Sequence, residues 1–136
     1  YNIDTLNVAP TDDATMSRLT VTTHGDDSKI EQIKLQVGKL IEVVEVEELT
    51  DDDHVERELM MIKVRASAEG RDEIKRTADI FRGQIIDVTS TTYTVQLTGT
   101  RDKLDAFVKA MSGTAILEVV RTGVSGIARG DKVMAP

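Results

Sequence analysis

The second half of the chain changes its hydrophobic period in an order that few folds accommodate. Met60, Ile62 and Val64 point to one face while Lys63 and Arg65 take the other, which is the period-two pattern of a half-buried strand. Residues 71–82 then place apolar side chains three or four positions apart, as an amphipathic helix does, and a glycine follows as a stop signal. The pattern therefore predicts a strand followed by a helix.

Two short strands and a second helix come next. Residues 84–88 form a β-branched run and residues 93–98 alternate, with a Ser/Thr cluster between them that predicts a hairpin turn. Thr100 or Asp102 can cap a helix that carries one apolar stripe, and residues 115–120 form a last strand. The complete order is β-α-β-β-α-β, which is the ferredoxin-like arrangement of an α+β fold.

The first half shows a shorter version of the same order. Residues 3–8 and 19–23 predict two strands, and a helix follows that begins at Asp26 or Asp27. Residues 42–49 then predict a strand, so the order is β-β-α-β. The leading strand and helix of the six-element unit have no counterpart here. We expect roughly 25–30 residues, one strand and one helix with their connections, to precede Tyr1 in the native protein.

The sequence thus predicts two ferredoxin-like modules in tandem. We assign residues 1–50 to the shortened module, residues 54–122 to the complete module and residues 123–136 to a flexible C-terminal tail that docks on a partner. The connector between the modules carries three adjacent aspartates, Asp51 to Asp53. Three neighbouring carboxylates repel one another, so a solvated linker is favoured over the alternative, a weak divalent-cation site.

Charge and composition exclude several classes of function. The first 53 residues carry thirteen acidic and four basic residues, and the whole chain has a net charge of −7. Nucleic acid is therefore not an expected partner, because its phosphates require clustered basic residues. No apolar run is long enough to span a membrane, and the absence of cysteine suits a reducing cytoplasm.

The sequence predicts no catalytic residue and no metal site. The two histidines, His24 and His54, lie thirty positions apart and no cysteine is available to share a metal with them. The serines do not lie in a nucleophile elbow. A carboxylate pair stays open as an alternative, because acidic residues are plentiful, but no cluster has the composition of an active site.

Asn2 is the polar residue most suited to binding a ligand. It stands at the start of the first strand, where its amide can donate to a carboxylate and accept from an ammonium group. The alternative is a turn asparagine that bonds to its own backbone.

The chain also contains short, characteristic strings of consecutive residues in a fixed order. They occupy residues 1–3, 8–11, 17–20, 31–33, 39–41, 54–58, 70–73, 81–88, 93–97, 103–107 and 129–132. Together they make the chain resemble the small regulatory subunits of acetolactate synthase (acetohydroxyacid synthase), and the resemblance covers nearly the whole chain. The string Phe-Arg-Gly-Gln-Ile-Ile-Asp-Val at residues 81–88 is long enough to be specific alone.

The resemblance implies a cytoplasmic, non-catalytic regulatory subunit. Its N-terminal module would be an ACT domain, which binds amino acids at a homodimer interface. A separate catalytic subunit would carry thiamine diphosphate, FAD and magnesium, and this chain would hold no cofactor. The regulatory subunit would activate that enzyme and confer feedback inhibition by a branched-chain amino acid, usually valine, in isoleucine, leucine and valine synthesis.

The family pattern also assigns effector-binding residues. Asn2 matches the asparagine of the family's Tyr-Asn-Ile string, and Ile3 would form an apolar wall of the same pocket. One alternative is a free-standing amino-acid-sensing ACT protein such as a transcriptional regulator, which would need a DNA-binding helix-turn-helix. A second alternative is a small enzyme built on this fold.

Overall fold

The computed structural model describes residues 3–40, 42–50 and 53–134. The described residues divide into two compact units, one within Tyr1–Glu56 and Val124–Pro136 and the other within Arg57–Gly123. The elements follow in the order β1 (Ile3–Pro10), β2 (Ser17–Thr23), α1 (Asp27–Gly38), β3 (His54–Arg65), α2 (Arg71–Ile80), β4 (Gln84–Val88), β5 (Thr92–Gly99), α3 (Arg101–Ala110), β6 (Ile116–Arg121) and β7 (Ser125–Ala128).

The second unit is built around the central strand β3. This strand pairs antiparallel with β5 on one side and with β6 on the other, and β4 pairs with the outer edge of β5. The strand order β4-β5-β3-β6 is that of a ferredoxin-like sheet. The predicted α+β class with its β-α-β-β-α-β order is therefore confirmed.

The core of the second unit lies on one face of this sheet. Met60, Ile62 and Val64 of β3 are fully buried, and the helices α2 and α3 contribute buried side chains from their apolar stripes. The rings of Phe81 and Phe107 meet edge to face with their centroids 5.2 Å apart. Such aromatic contacts add to the free energy of burial, so the core is both apolar and geometrically specific.

In the described part of the first unit, the hairpin of β1 and β2 has one largely exposed face. Strands β1 and β2 form a two-stranded antiparallel sheet in which Val8 lies opposite Leu19 and Leu6 opposite Val21. These four apolar side chains share one face and are 42–58% exposed. The opposite face is polar and half-buried, with Asn7 opposite Thr20 and Thr5 opposite Thr22. We refer to these two sides as the apolar face and the polar face of the hairpin.

The helices begin at the caps that the sequence offers. The Asp26 carboxylate accepts from the Lys29 backbone N–H at the start of α1, and the Thr100 hydroxyl accepts from the Lys103 N–H at the start of α3. Helix α1 has no fully buried residue. Within the described ranges, no helix is long and apolar enough to cross a membrane.

The strand predicted at residues 42–49 is wrong. Residues 42–50 have no regular secondary structure. In the second unit the last strand, β6, pairs with the first strand, β3. The described part of the first unit has no counterpart of that first strand, so residues 42–49 have no matching edge with which to form hydrogen bonds.

The prediction of a flexible tail at residues 123–136 also differs from the structure. This segment contains the strand β7, which belongs to the first unit. The strand is short, with the sequence Ser-Gly-Ile-Ala, so it carries no readable period. Its hydrogen-bond partners include Arg18 and Thr20, more than a hundred residues away, which local pattern cannot indicate.

Truncating the buried ring of Phe107 should destabilise the second unit. We expect Phe107→Ala to lower the free energy of unfolding by about 3–5 kcal/mol, because the side chain is fully buried and the change leaves a cavity. Ile80→Ala, at a position 71% exposed on α2, is the control and should change it by less than about 0.5 kcal/mol. Urea unfolding of both variants measures the difference, and equal midpoints would contradict this placement of the core.

Candidate functional site

Of the two residues predicted to bind an effector, Asn2 is outside the described residues and Ile3 is within them. Ile3 is the first residue of β1, where it lies opposite Thr23 at the end of β2, and its side chain is 59% exposed. An apolar side chain this exposed at a strand end is available to contact a ligand.

Polar side chains accompany Ile3 at this end of the hairpin. The Asp4 carboxylate lies 3.1 Å from Nδ1 of His24, which follows β2 directly. The hydroxyl groups of Thr5 and Thr22 are hydrogen-bonded across the two strands. Within the described residues, this end of the hairpin thus carries an exposed apolar side chain and a carboxylate–histidine pair, the two kinds of group that contact a small molecule with an apolar and a charged end.

The amino end of α1 follows the same end of the hairpin after three residues. The Asp26 carboxylate accepts from the Lys29 backbone N–H at 3.0 Å and from the Ser28 hydroxyl at 2.9 Å. These hydrogen bonds, the backbone bond first, lower the pKa of Asp26 because they favour its charged form. The cap thus fixes where the chain leaves β2 and enters α1.

The cap makes the order of α1 dependent on pH. Since the pKa of Asp26 is lower in the folded chain than in the unfolded chain, its contribution is complete above the unfolded value of about 3.9 and is lost as the pH falls through the folded value. Asp26→Asn should keep a cap that does not titrate, whereas Asp26→Ala should weaken α1 at neutral pH. NMR shifts of α1 between pH 7 and 2 measure this, and an unshifted Asp26 pKa would contradict it.

The sequence-predicted linker and its alternative metal site are only partly described. Asp51 and Asp52 lie outside the described residues, and the Asp53 carboxylate lies 3.2 Å from Nε of Arg129. In the part of the chain that the structure describes, no group of three or more His, Cys, Asp or Glu side chains is placed to hold a metal ion.

A buried ion pair in the second unit was missed by the sequence analysis. Glu58 is only 3% exposed, and its Oε1 accepts from Nη2 of Arg121 at 2.7 Å and from Nε at 3.2 Å. Its Oε2 accepts from the Gly123 backbone N–H at 2.9 Å. The Arg121 guanidinium also donates from Nη1 to Asp105 at 2.7 Å. The signal for this network was available: Glu58 continues the alternation of Met60 and Ile62, so it is a carboxylate in a core-facing phase.

The pair of Glu58 and Arg121 joins β3 to β6 by charged hydrogen bonds. The hydrogen bond with Glu58, followed in importance by the one with Asp105, raises the pKa of Arg121, so the guanidinium stays charged. Glu58 is the first buried residue of β3, and Arg121 ends β6. Both oxygens of the buried carboxylate have donors, which is the condition under which a buried charge is tolerated.

Removing the buried carboxylate of Glu58 should lower the free energy of unfolding far more than removing the exposed carboxylate of Asp105. We expect Glu58→Ala to lower the free energy of unfolding of the second unit by about 3 kcal/mol, because Nε and Nη2 of Arg121 and the Gly123 N–H lose their acceptor. Asp105→Asn removes the exposed charge of the same network and should cost about 1 kcal/mol or less. Thermal unfolding followed by circular dichroism separates the two. Equal losses would show that burial of Glu58 is unimportant.

Two family models match the chain and together span most of it. One is described as the small subunit of acetolactate synthase and matches residues 57–130. The other is described as an AHAS small subunit-like ACT domain and matches residues 1–45.

Individual relatives agree with these models over nearly the full chain. The acetolactate synthase isozyme 3 small subunit of Salmonella typhimurium is 58% identical over 98% of this chain and 83% of its own length. The probable acetolactate synthase small subunit of Archaeoglobus fulgidus is 41% identical over 97% of this chain and 82% of its own. A crystal structure of the acetolactate synthase small subunit from Thermotoga maritima superposes with a TM-score of 0.85, at 37% identity, over 96% of this chain and 82% of that one.

Proposed function

Because the chain belongs to the family of acetolactate synthase small subunits, we propose that it is a regulatory subunit that activates a separate catalytic subunit and confers feedback inhibition on it. The observation that carries the proposal is the 58% identity over 98% of the chain to a small subunit of this enzyme. The match of residues 1–45 to an ACT domain supports a role in sensing. The site of action would be the cytoplasm, within isoleucine, leucine and valine synthesis.

In this proposal the chemistry belongs to the partner. The catalytic subunit would hold thiamine diphosphate, FAD and magnesium, and this chain would contribute no reacting group. What the described residues offer at the predicted site is an exposed apolar side chain, Ile3, with the Asp4–His24 pair beside it. Such groups suit recognition of a small amphipathic molecule.

The proposed effector is a branched-chain amino acid, with valine as the first candidate. Asn2 would donate its amide N–H to the effector carboxylate and accept from the ammonium group, and Ile3 would contact the branched side chain. Two copies of the module would share the pocket in a homodimer, so that one ligand bridges two chains. Its binding would then bias how those chains are arranged.

Inhibition requires the effector to bind the inhibited assembly more tightly than the active one. A coupling free energy of about 1–3 kcal/mol between the effector and catalytic sites changes the equilibrium about 5–150-fold. This range is within reach of a single amino acid, because the loss of one hydrogen bond to a charged group costs about 1.5–3 kcal/mol.

A reconstitution assay tests the proposal. The purified chain alone should form no acetolactate from pyruvate, the catalytic subunit should become more active when the chain is added, and valine should then inhibit it. Asn2→Ala should leave the activation unchanged and raise the half-inhibitory valine concentration about tenfold or more. Asp12→Ala, in the exposed β1–β2 turn, is the control and should behave as the unchanged chain does.

Each arm of the assay can contradict a separate part of the proposal. Acetolactate made by the chain alone would identify an enzyme, and no activation of the catalytic subunit would remove the regulatory role. Unchanged inhibition in Asn2→Ala would remove Asn2 from the pocket. Leucine and isoleucine, titrated in parallel, identify the effector by the lowest half-inhibitory concentration.

A further inference from the structure

The strand β7 is attached to the polar face of the hairpin by side-chain hydrogen bonds. Nη2 of Arg18 donates to the Gly126 carbonyl oxygen at 2.9 Å. The Ser125 hydroxyl donates to Oδ1 of Asn7 at 2.9 Å, and the Gly126 backbone N–H points to the Thr20 hydroxyl oxygen at 3.4 Å. Strand β1 therefore bonds to Ser125, and strand β2 bonds to the next residue, Gly126.

The fit around Gly126 is close enough to restrict the residue at this position. Gly126 is buried, and a Cβ added to it would lie 2.9 Å from Cδ1 of Leu49. The methyl group of Thr20 and the carbonyl oxygen of Val55 lie 3.8 Å from the same point. The Leu49 side chain could turn away from a single methyl group, but a β-branched side chain would also meet the other two neighbours.

The residues after β7 attach to a second part of the same unit. The Arg129 backbone N–H donates to the Asp53 carbonyl oxygen at 3.0 Å, and the two side chains form an ion pair. Nζ of Lys132 lies 3.0 Å from Oε1 of Glu47, whose side chain is only 15% exposed. The lysine compensates the charge of this largely buried carboxylate and so joins Glu47 to the C-terminal segment.

Within the described residues, β1 and β2 form a two-stranded sheet. An isolated two-stranded hairpin is at best marginally stable in water, so further contacts to β1 and β2 stabilise it. Its apolar face is largely exposed in the described structure, whereas its polar face is half-buried and carries the bonds to β7. Asn7, which accepts from Ser125, lies on the same strand as Ile3, four residues further along.

We propose that residues 125–132 act as a strap that holds the hairpin of the sensing module in its ligand-competent conformation, so that the C-terminal segment sets effector sensitivity without touching the effector. The part that concerns sensitivity rests on the function proposed above. The structural part does not, because it concerns only the order of β1 and β2. The strap residues are thereby positioning residues.

The test uses Gly126→Val in the full-length chain, with Ile127→Val as the matched control. Ile127 is the next residue of β7 and is 57% exposed, so shortening it should leave the strap in place. Hydrogen exchange read by mass spectrometry should show β1 and β2 amides exchanging about tenfold faster in Gly126→Val, with the amides of β3 to β6 within Arg57–Gly123 unchanged. The control should match the unchanged chain.

Arg18→Gln provides a milder second variant if Gly126→Val does not fold. It removes the charged donor to the Gly126 carbonyl while keeping a side chain of similar length. It should accelerate exchange in the same strands by a smaller factor. Unchanged exchange in β1 and β2 would overturn the strap, and so would an increase spread equally over both units.

The functional arm repeats the reconstitution assay with these variants. The strap predicts that activation of the catalytic subunit persists while the half-inhibitory valine concentration rises about fivefold or more. If the unchanged chain confers no inhibition by any branched-chain amino acid, the proposed function fails and the exchange arm still decides on the strap. If the unchanged chain confers inhibition and Gly126→Val confers it equally, the strap's role in sensitivity is wrong.

Discussion

The pairing of β3 on both of its edges is the constraint on which the second unit depends. Because β5 and β6 pair with the two sides of this strand over Met60–Val64, the inward side chains of this segment can be fully buried. Helices α2 and α3 then cover one face of the sheet, and their side chains form a core of buried apolar residues with it. The Glu58–Arg121 pair adds charged hydrogen bonds between β3 and β6. Without it, the buried Glu58 carboxylate would be unpaired.

The first unit follows a different physical logic. In its described residues, the apolar face of the hairpin is exposed and helix α1 has no fully buried residue. Polar contacts through Arg18, Asn7 and Glu47 join these residues to the C-terminal segment. The free energy of such contacts is comparable to what one small ligand supplies, which suits the sensing role proposed for this unit.

Much of the fold was predictable because its main signals are local. The alternation of Met60, Ile62 and Val64 predicts β3, and the apolar stripes of α2 and α3 predict the helices that cover it. The prediction at residues 42–49 fails because a strand needs a neighbouring edge as well as a β-branched composition. The candidate site at Asn2 and Ile3 stays a prediction, because it rests on the amide chemistry of Asn2 and on the family resemblance, and Asn2 lies outside the described residues.

Patterns read along the chain predicted the elements of the second unit from β3 to β6, narrowed each helix cap to two residues that include Asp26 or Thr100, and identified the family, because periodicity, capping and residue strings are local. The three-dimensional arrangement was needed to show that β7 belongs to the first unit and that Glu58 is paired with Arg121. Glu58 and Arg121 are 63 positions apart, and Gly126 and Arg18 are 108 positions apart. The local alternation indicates that Glu58 faces the core, but which residue it pairs with depends on how the strands are arranged in space.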